Sequence, residues 1–182
     1  MTDAEFEAYC RENGNVQIER TSEGAIRVNP PTGWDTSSAN LEISGRLFAW
    51  WIKHQRGIVT DSSGGFYLPD SSILSPDAAY VTPKTRKQIP RERKTAYFPG
   101  CPDFVIELLS RSDPLAEIQD KMERWIANGA QLGWLIDPYQ KKVFIYQPGL
   151  DVISFTGDIL EGHGPVSGFN LDLVRIWRYY ED

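Results

Sequence analysis

One charged side chain interrupts an apolar segment near the middle of the chain. Residues 104–109 read FVIELL, so Glu107 is the one ionisable group of that segment. A carboxylate is costly to bury alone, and a buried glutamate is therefore normally paired with a cation or bound to a metal ion. Because side chains alternate along a strand, Asp103, Val105 and Glu107 are expected to share one face.

A second carboxylate, Asp77, follows Pro76 and opens the segment 77–81. If this segment and the Glu107 segment form neighbouring strands, both carboxylates lie within reach of one hard cation. Mg²⁺ prefers a few carboxylate oxygens, with water and substrate phosphate completing its shell. Such an ion, or Mn²⁺ in its place, lowers the pKa of bound water and neutralises charge on a phosphodiester. The pair therefore predicts a metal-dependent site for phosphodiester hydrolysis.

Lys121 is the candidate for the third catalytic group. It lies in the predicted helix that directly follows the Glu107 strand. A lysine near the attacking water adds positive charge and orients that water. Gln119 is a polar residue of the same helical turn and is a candidate auxiliary residue.

Residue chemistry alone leaves a structural alternative open. An aspartate at the start of a strand often caps a turn, which would explain Asp77. A glutamate within a strand can belong to a buried ion pair, which would explain Glu107.

The hydrophobic pattern predicts the elements that must position these residues. Their order is helix, two strands, helix, four strands, helix and three strands, which indicates an α/β fold with a mixed sheet flanked by helices. The segment 169–180 is mixed apolar and aromatic and has no predicted type. The predicted helices span 3–13, from Thr36 or Ser37 to 56, and 114–128; the predicted strands span 16–20, 25–28, 58–61, 65–68, 77–81, 104–109, 132–137, 142–146 and 152–155.

Length and composition are those of one globular domain, residues 1–182, with 41% hydrophobic and 24% charged residues. No apolar run is long enough for a bilayer, and the acidic N-terminus lacks the basic start of a secretion signal. We therefore expect a cytoplasmic protein with no membrane partner. Cys10 and Cys101 lack metal-ligand spacing, and both are expected to be reduced and structural.

The net charge of −6 disfavours broad, non-specific coating of DNA, which needs clustered lysine and arginine. One basic stretch, KTRKQIPRERK at 84–94, stands against this acidic total. It is either a solvated loop or a loop that contacts phosphates.

Several short segments occur in a distinctive order between residues 64 and 148. They are SPDAAYV at 75–81, PDFVIELLSRSD at 102–113, Lys121-Met122, NGA at 128–130 and GWLIDP at 133–138. This combination resembles the Uma-type restriction endonuclease family of the PD-(D/E)xK nuclease superfamily.

The resemblance implies a restriction-endonuclease-like core in which Asp77 is the motif aspartate and Glu107 is its acidic partner. In the superfamily a lysine normally follows that glutamate by two residues, a position that Leu109 occupies here. The resemblance implies that the lysine has moved to the following helix, as Lys121. Glu42 on the first long helix is similar to a glutamate that some members add to the metal site, although a solvated helix glutamate is the alternative.

The resemblance also implies a homodimer, which would suit two-fold symmetric DNA. The sequence then supports three hypotheses. The first is a Mg²⁺-dependent DNA endonuclease. The second is a non-catalytic nucleic-acid- or protein-binding dimer of the same fold, and the third is a hydrolase of another phosphate compound.

Overall fold

The computed structural model describes residues 1–14, 16–89 and 97–181. Within these residues no helix combines the length and the apolar character that crossing a bilayer requires. The helices are α1 (Asp3–Glu12), α2 (Trp34–His54), α3 (Pro83–Gln88), α4 (Leu115–Ala127) and α5 (Leu173–Trp177), with 3₁₀ turns at Gly164–Val166 and Arg178–Tyr180. The strands are β1 (Gln17–Arg20), β2 (Ile26–Asn29), β3 (Ile58–Asp61), β4 (Phe66–Tyr67), β5 (Ile73–Leu74), β6 (Ala78–Val81), β7 (Phe98–Pro99), β8 (Phe104–Leu108), β9 (Leu132–Asp137), β10 (Lys142–Tyr146), β11 (Ile153–Phe155), β12 (Ile159–Glu161) and β13 (Asn170–Asp172).

The larger sheet has the order β11-β10-β9-β8-β6-β3 among the described strands. Its strands pair antiparallel except for β8 and β9, which are parallel and are joined by α4. A helical crossover is the usual link between parallel neighbours. The mixed sheet with flanking helices confirms the predicted fold class.

The two faces of this sheet carry separate apolar clusters. On one face, Ile43 and Leu47 of α2 belong to the cluster that contains Phe104 and Ile106 of β8. On the other face, Trp125 of α4 packs in the cluster that contains Val105. Both faces of β8 are thus buried, which explains its nearly continuous apolar sequence.

The pattern of α4 determines which of its side chains face the sheet. Met122 and Trp125 are buried, and Ile118 is partly buried in the same cluster, at the spacing of one helical face. Pro114 precedes the first turn, and Gly129 with a φ of 121° follows the last. Lys121 lies one turn before Trp125, so its side chain also points towards β8.

A smaller sheet with the order β2-β1-β5-β4-β7 lies beside the larger one. Phe6 of α1 packs in a cluster with Ile18 of β1 and Ile73 of β5. A capping box between Thr2 and Glu5 fixes the start of α1. This sheet brings β1 and its Glu19 to the edge of α4.

The sequence predicted β4 and β11 but not four other short strands. Strands β5, β7, β12 and β13 have two or three residues each, too few to establish an alternating pattern. Helix α3 lies in the segment that we predicted to be a loop, and it begins with Thr82 as its N-cap followed by a proline. Within α3, the basic side chains at 84, 86 and 87 are exposed, whereas 90–94 of the basic stretch lie outside the described residues.

Gly57 provides a test of how α2 is joined to the sheet. Its φ is 74°, and a Cβ there would collide with the carbonyl oxygen of Val81 and the ring of Tyr80. We expect Gly57→Ala to reduce the free energy of unfolding by about 1–3 kcal/mol, because the clash adds to the left-handed strain. Urea denaturation measures the change.

Gly45→Ala is the matched control. Gly45 lies inside α2, and among the described residues no heavy atom other than its chain neighbours and the local helix backbone is within 4 Å of the added Cβ. Its replacement should raise stability by about 0.5–1 kcal/mol, since alanine favours a helix. Equal changes in the free energy of unfolding for the two substitutions would contradict the clash and the left-handed strain that we expect from a side chain at position 57.

Candidate active site

The pairing of β6 with β8 brings Asp77 and Glu107 together. The antiparallel register matches Ala78 with Ile106, so its continuation places position 77 opposite position 107. The amide of Leu108 donates a hydrogen bond of 2.7 Å to Oδ2 of Asp77. The two segments are therefore neighbours, which is the condition that the sequence prediction required.

Glu107 is 4% exposed and is held by two residues of α4. The Nζ atom of Lys121 lies 3.0 Å from its Oε1. The indole Nε1 of Trp125 donates a 2.8 Å hydrogen bond to the same oxygen. One helical turn therefore supplies both an ammonium and a neutral donor to the carboxylate, and the structure places Lys121 beside Glu107.

Lys121 also contacts a third acidic residue, which sequence reasoning missed. Its Nζ lies 2.9 Å from Oε1 of Glu19 and donates to the carbonyl oxygen of Ser75 at 2.8 Å. Glu19 occupies a polar position in the alternating pattern of β1, which is typical of a solvent-facing side chain. No local signal marks it as buried, because α4 and the turn before β6 cover it only in the folded chain.

Asn40 is a further site residue that the sequence did not reveal. Its Nδ2 donates a 2.7 Å hydrogen bond to Oδ1 of Asp77. Its own Oδ1 is buried and has no hydrogen-bond partner among the described residues. Both oxygens of Asp77 thus accept hydrogen bonds from the protein, and an unused acceptor lies beside them.

Burial controls the ionisation of this group of side chains. It raises the pKa of Glu107 to about 8, against the attraction of Lys121. Burial also raises the pKa of Asp77, against the hydrogen bond from the Leu108 amide. For Lys121, burial alone would lower the pKa, but the attraction of Glu107 and Glu19 raises it above its usual value. The ammonium is therefore stable in this acidic surrounding.

A cavity of about 960 Å³ opens onto these groups. Its lining includes Glu19, Asp77, Glu107 and Lys121. The side chains of Arg27, Arg111 and Tyr139 also line it. An extended substrate could therefore reach the acidic pair from solvent and meet arginines on its way.

The structure does not bring Glu42 and Gln119 to this cavity. Glu42 accepts hydrogen bonds from Arg46 at 2.8 Å and from Arg175 at 2.7 Å, and it lines a different cavity. Gln119 is half-buried on α4 and is not among the residues that line the cavity of Asp77. From α2, Asn40 contacts the Asp77 carboxylate and Ser44 contacts the Asp77 carbonyl oxygen. Glu42 is two residues after Asn40, and a two-residue step along a helix turns a side chain by about 200°.

The donor set at Asp77 and Glu107 suits a hard divalent cation. Within residues 1–14, 16–89 and 97–181, no group of three or more His, Cys, Asp or Glu is arranged to hold a metal ion. Mg²⁺ needs no such cage, because it keeps several waters and commonly uses one or two carboxylates plus substrate phosphate. Among the described residues, the acceptors at this site are oxygens, including Oδ1 of Asn40, which has no hydrogen-bond partner there. The residues therefore fit this ion.

Comparisons with known proteins agree with the fold and with the family that the sequence resembles. The sequence model of the Uma2 family, described as "Putative restriction endonuclease", matches residues 3–173. The crystal structure of a "putative nuclease belonging to DUF820" from Anabaena variabilis superposes with a TM-score of 0.76 at 21% identity, over 89% of this chain and 90% of that one. At this identity the likeness concerns the fold. No curated protein matched the sequence.

The raised pKa of Glu107 predicts how stability depends on pH without metal. The protonated carboxyl contributes stability below the unfolded-state pKa of 4.5, and this contribution is lost as the pH rises through the folded value of about 8. Glutamine does not ionise. Between about pH 5 and about pH 9, we expect the free energy of unfolding of the wild type to fall, relative to that of Glu107→Gln, by on the order of 1 kcal/mol or more.

Urea unfolding in a metal chelator measures this difference. Glu123→Gln is the control, because Glu123 is exposed on the same helix and should give the wild-type pH dependence. If the free energy of unfolding changed with pH in the same way for the wild type and for Glu107→Gln, Glu107 would be ionised throughout this pH range.

Proposed function

Since the chain belongs to the Uma2 family, whose description is that of a restriction endonuclease, we propose that it is a Mg²⁺-dependent DNA endonuclease that hydrolyses phosphodiester bonds. The observation that carries the proposal is the convergence of Asp77, Glu107 and Lys121 on one cavity. Two carboxylates and an ammonium are the groups that this reaction needs.

Asp77 and Glu107 would hold the metal ion, for which Mn²⁺ could substitute. The ion would supply an acidified water and neutralise charge on the phosphate. The amide of Leu108 and the side chain of Asn40 orient the Asp77 carboxylate. Trp125 orients that of Glu107. These contacts reduce the reorganisation that the site needs when substrate binds.

Lys121 would orient the attacking water and stabilise the charge that develops on the phosphate. Its ammonium is already within 3.0 Å of Glu107, and its raised pKa keeps it charged. A fixed cation in a buried site acts more strongly than one in water.

DNA is the proposed substrate because of the family and the charges around the cavity. Arg27 and Arg111 line it beside the acidic groups, and arginines are suited to phosphate oxygens. The chain carries a net charge of −6, so contact with DNA would be local. A homodimer would present two such cavities to the two strands of a duplex.

A non-catalytic binding protein is the second candidate function, and one observation favours it. Both oxygens of Asp77 and the ammonium of Lys121 have protein partners. A network satisfied in this way can persist for structural reasons.

Calorimetric titration with Mn²⁺ distinguishes the two candidates. We expect the wild type to bind Mn²⁺ and the Asp77→Ala and Glu107→Ala variants to lose that binding, because each removes a ligand. Glu123→Gln, on the exposed side of α4, should bind like the wild type. An absence of binding to the wild type, also with DNA present, would favour the non-catalytic protein.

Cleavage of plasmid DNA in Mg²⁺ tests the reaction itself. We expect Lys121→Met to lower kcat by about 100-fold or more while it retains Mn²⁺ binding, since the lysine acts on charge that develops during the reaction. Circular dichroism must show that the variant is folded, because it removes the cation from buried acids. Full activity of folded Lys121→Met would exclude the lysine from catalysis.

A further inference from the structure

Glu19 reaches the candidate active site from the smaller sheet. It is 2% exposed, and its Oε1 accepts a hydrogen bond of 2.8 Å from the amide of Ser75. The same oxygen lies 2.9 Å from Nζ of Lys121. Asn29 on β2 donates to its other oxygen at 3.5 Å. A carboxylate this deeply buried would be costly without these partners.

The ammonium of Lys121 has three hydrogens, and the site offers an acceptor for each. The acceptors are Glu19 at 2.9 Å, Glu107 at 3.0 Å and the carbonyl oxygen of Ser75 at 2.8 Å. They come from β1, β8 and the turn before β6. The position of the ammonium is therefore defined by three separate parts of the fold.

The two carboxylates that hold Lys121 have different tasks in the proposed reaction. Glu107 would bind a divalent cation through its carboxylate oxygens. This binding would weaken the contact between Glu107 and the Lys121 ammonium. Glu19 and the carbonyl of Ser75 then remain as partners of Lys121. Asp77, Glu107, Glu19 and Lys121 together carry a formal charge of −2 when ionised, which one divalent cation neutralises.

We propose that Glu19 is a positioning residue that keeps the Lys121 ammonium at the turn before β6 while Glu107 serves the metal ion. This inference rests on the proposed function. It makes the β1–β2 hairpin part of the active site. If Glu19 were only structural, it would hold β1 against Ser75 through their hydrogen bond. Replacing it would then affect Lys121 equally with and without the metal ion.

Glu19→Gln is the informative variant, because its amide oxygen can still accept from the Ser75 amide while the negative charge is lost. Glu23→Gln is the matched control, since Glu23 is an exposed glutamate of the same hairpin, with 70% of its side chain accessible. Should Glu19→Gln not fold, Glu19→Asp keeps the charge but retracts it by one methylene group.

The first measurement follows the Lys121 ammonium by ¹⁵N NMR, with Lys121→Arg to assign its signal. In the wild type we expect a slowly exchanging signal that persists when Mg²⁺ is added. In Glu19→Gln the signal should be present without metal, because Glu107 still holds the ammonium, and should be lost with Mg²⁺. In Glu19→Asp it should broaden with Mg²⁺. Persistence in both variants would overturn the proposal.

The second measurement separates this inference from the proposed function. With plasmid DNA and saturating Mn²⁺, we expect Glu19→Gln to lower kcat at least about tenfold, with KM within about twofold and Mn²⁺ still bound. An unchanged kcat would overturn the role of Glu19 alone. A wild type that neither binds Mn²⁺ nor cleaves DNA would overturn both proposals.

Discussion

The buried ammonium of Lys121 is the interaction on which the site depends. It links α4 to β1, to β8 and to the turn that leads into β6 through contacts of 2.8–3.0 Å. Without this cation, the buried carboxyl groups of Glu19 and Glu107 would lose the positive partner that they share, which is costly in a site away from solvent. The same contacts give the lysine one fixed place, which is what a group that stabilises developing charge needs.

The position of this lysine follows from the packing around β8. The nuclease motif that the chain resembles places the lysine two residues after the glutamate, at the position of Leu109. Leu109 is 6% exposed and belongs to the same apolar cluster as Met122 and Trp125. A lysine there would be buried among apolar groups beneath α4. Lys121 reaches Glu107 from α4 itself, so the apolar cluster remains intact.

The register of β6 against β8 is the second constraint on the site. It places Asp77 opposite Glu107 and lets the amide of Leu108 bind the aspartate. A slip by one residue would turn Glu107 to the face that packs against α2. The apolar residues Val105 and Ile106, each fully buried on opposite faces, oppose such a slip. The core of the sheet and the geometry of the acidic pair are therefore maintained by the same contacts.

The sequence by itself indicated the long elements and made Asp77, Glu107 and Lys121 candidates, whereas the pairing of β6 with β8 decided that the two carboxylates lie together. Periodic patterns of apolar residues located α2 and α4, and a lone carboxylate in an apolar run identified Glu107, because these signals are local. The tertiary structure alone decided the roles of Glu19 and Asn40. Their partners, Ser75 and Asp77, are 56 and 37 residues away along the chain. A polar residue on an alternating strand or an amphipathic helix gives the same local pattern whether it faces solvent or lies in a buried site. Only the packing of the two sheets and the helices distinguishes the two cases.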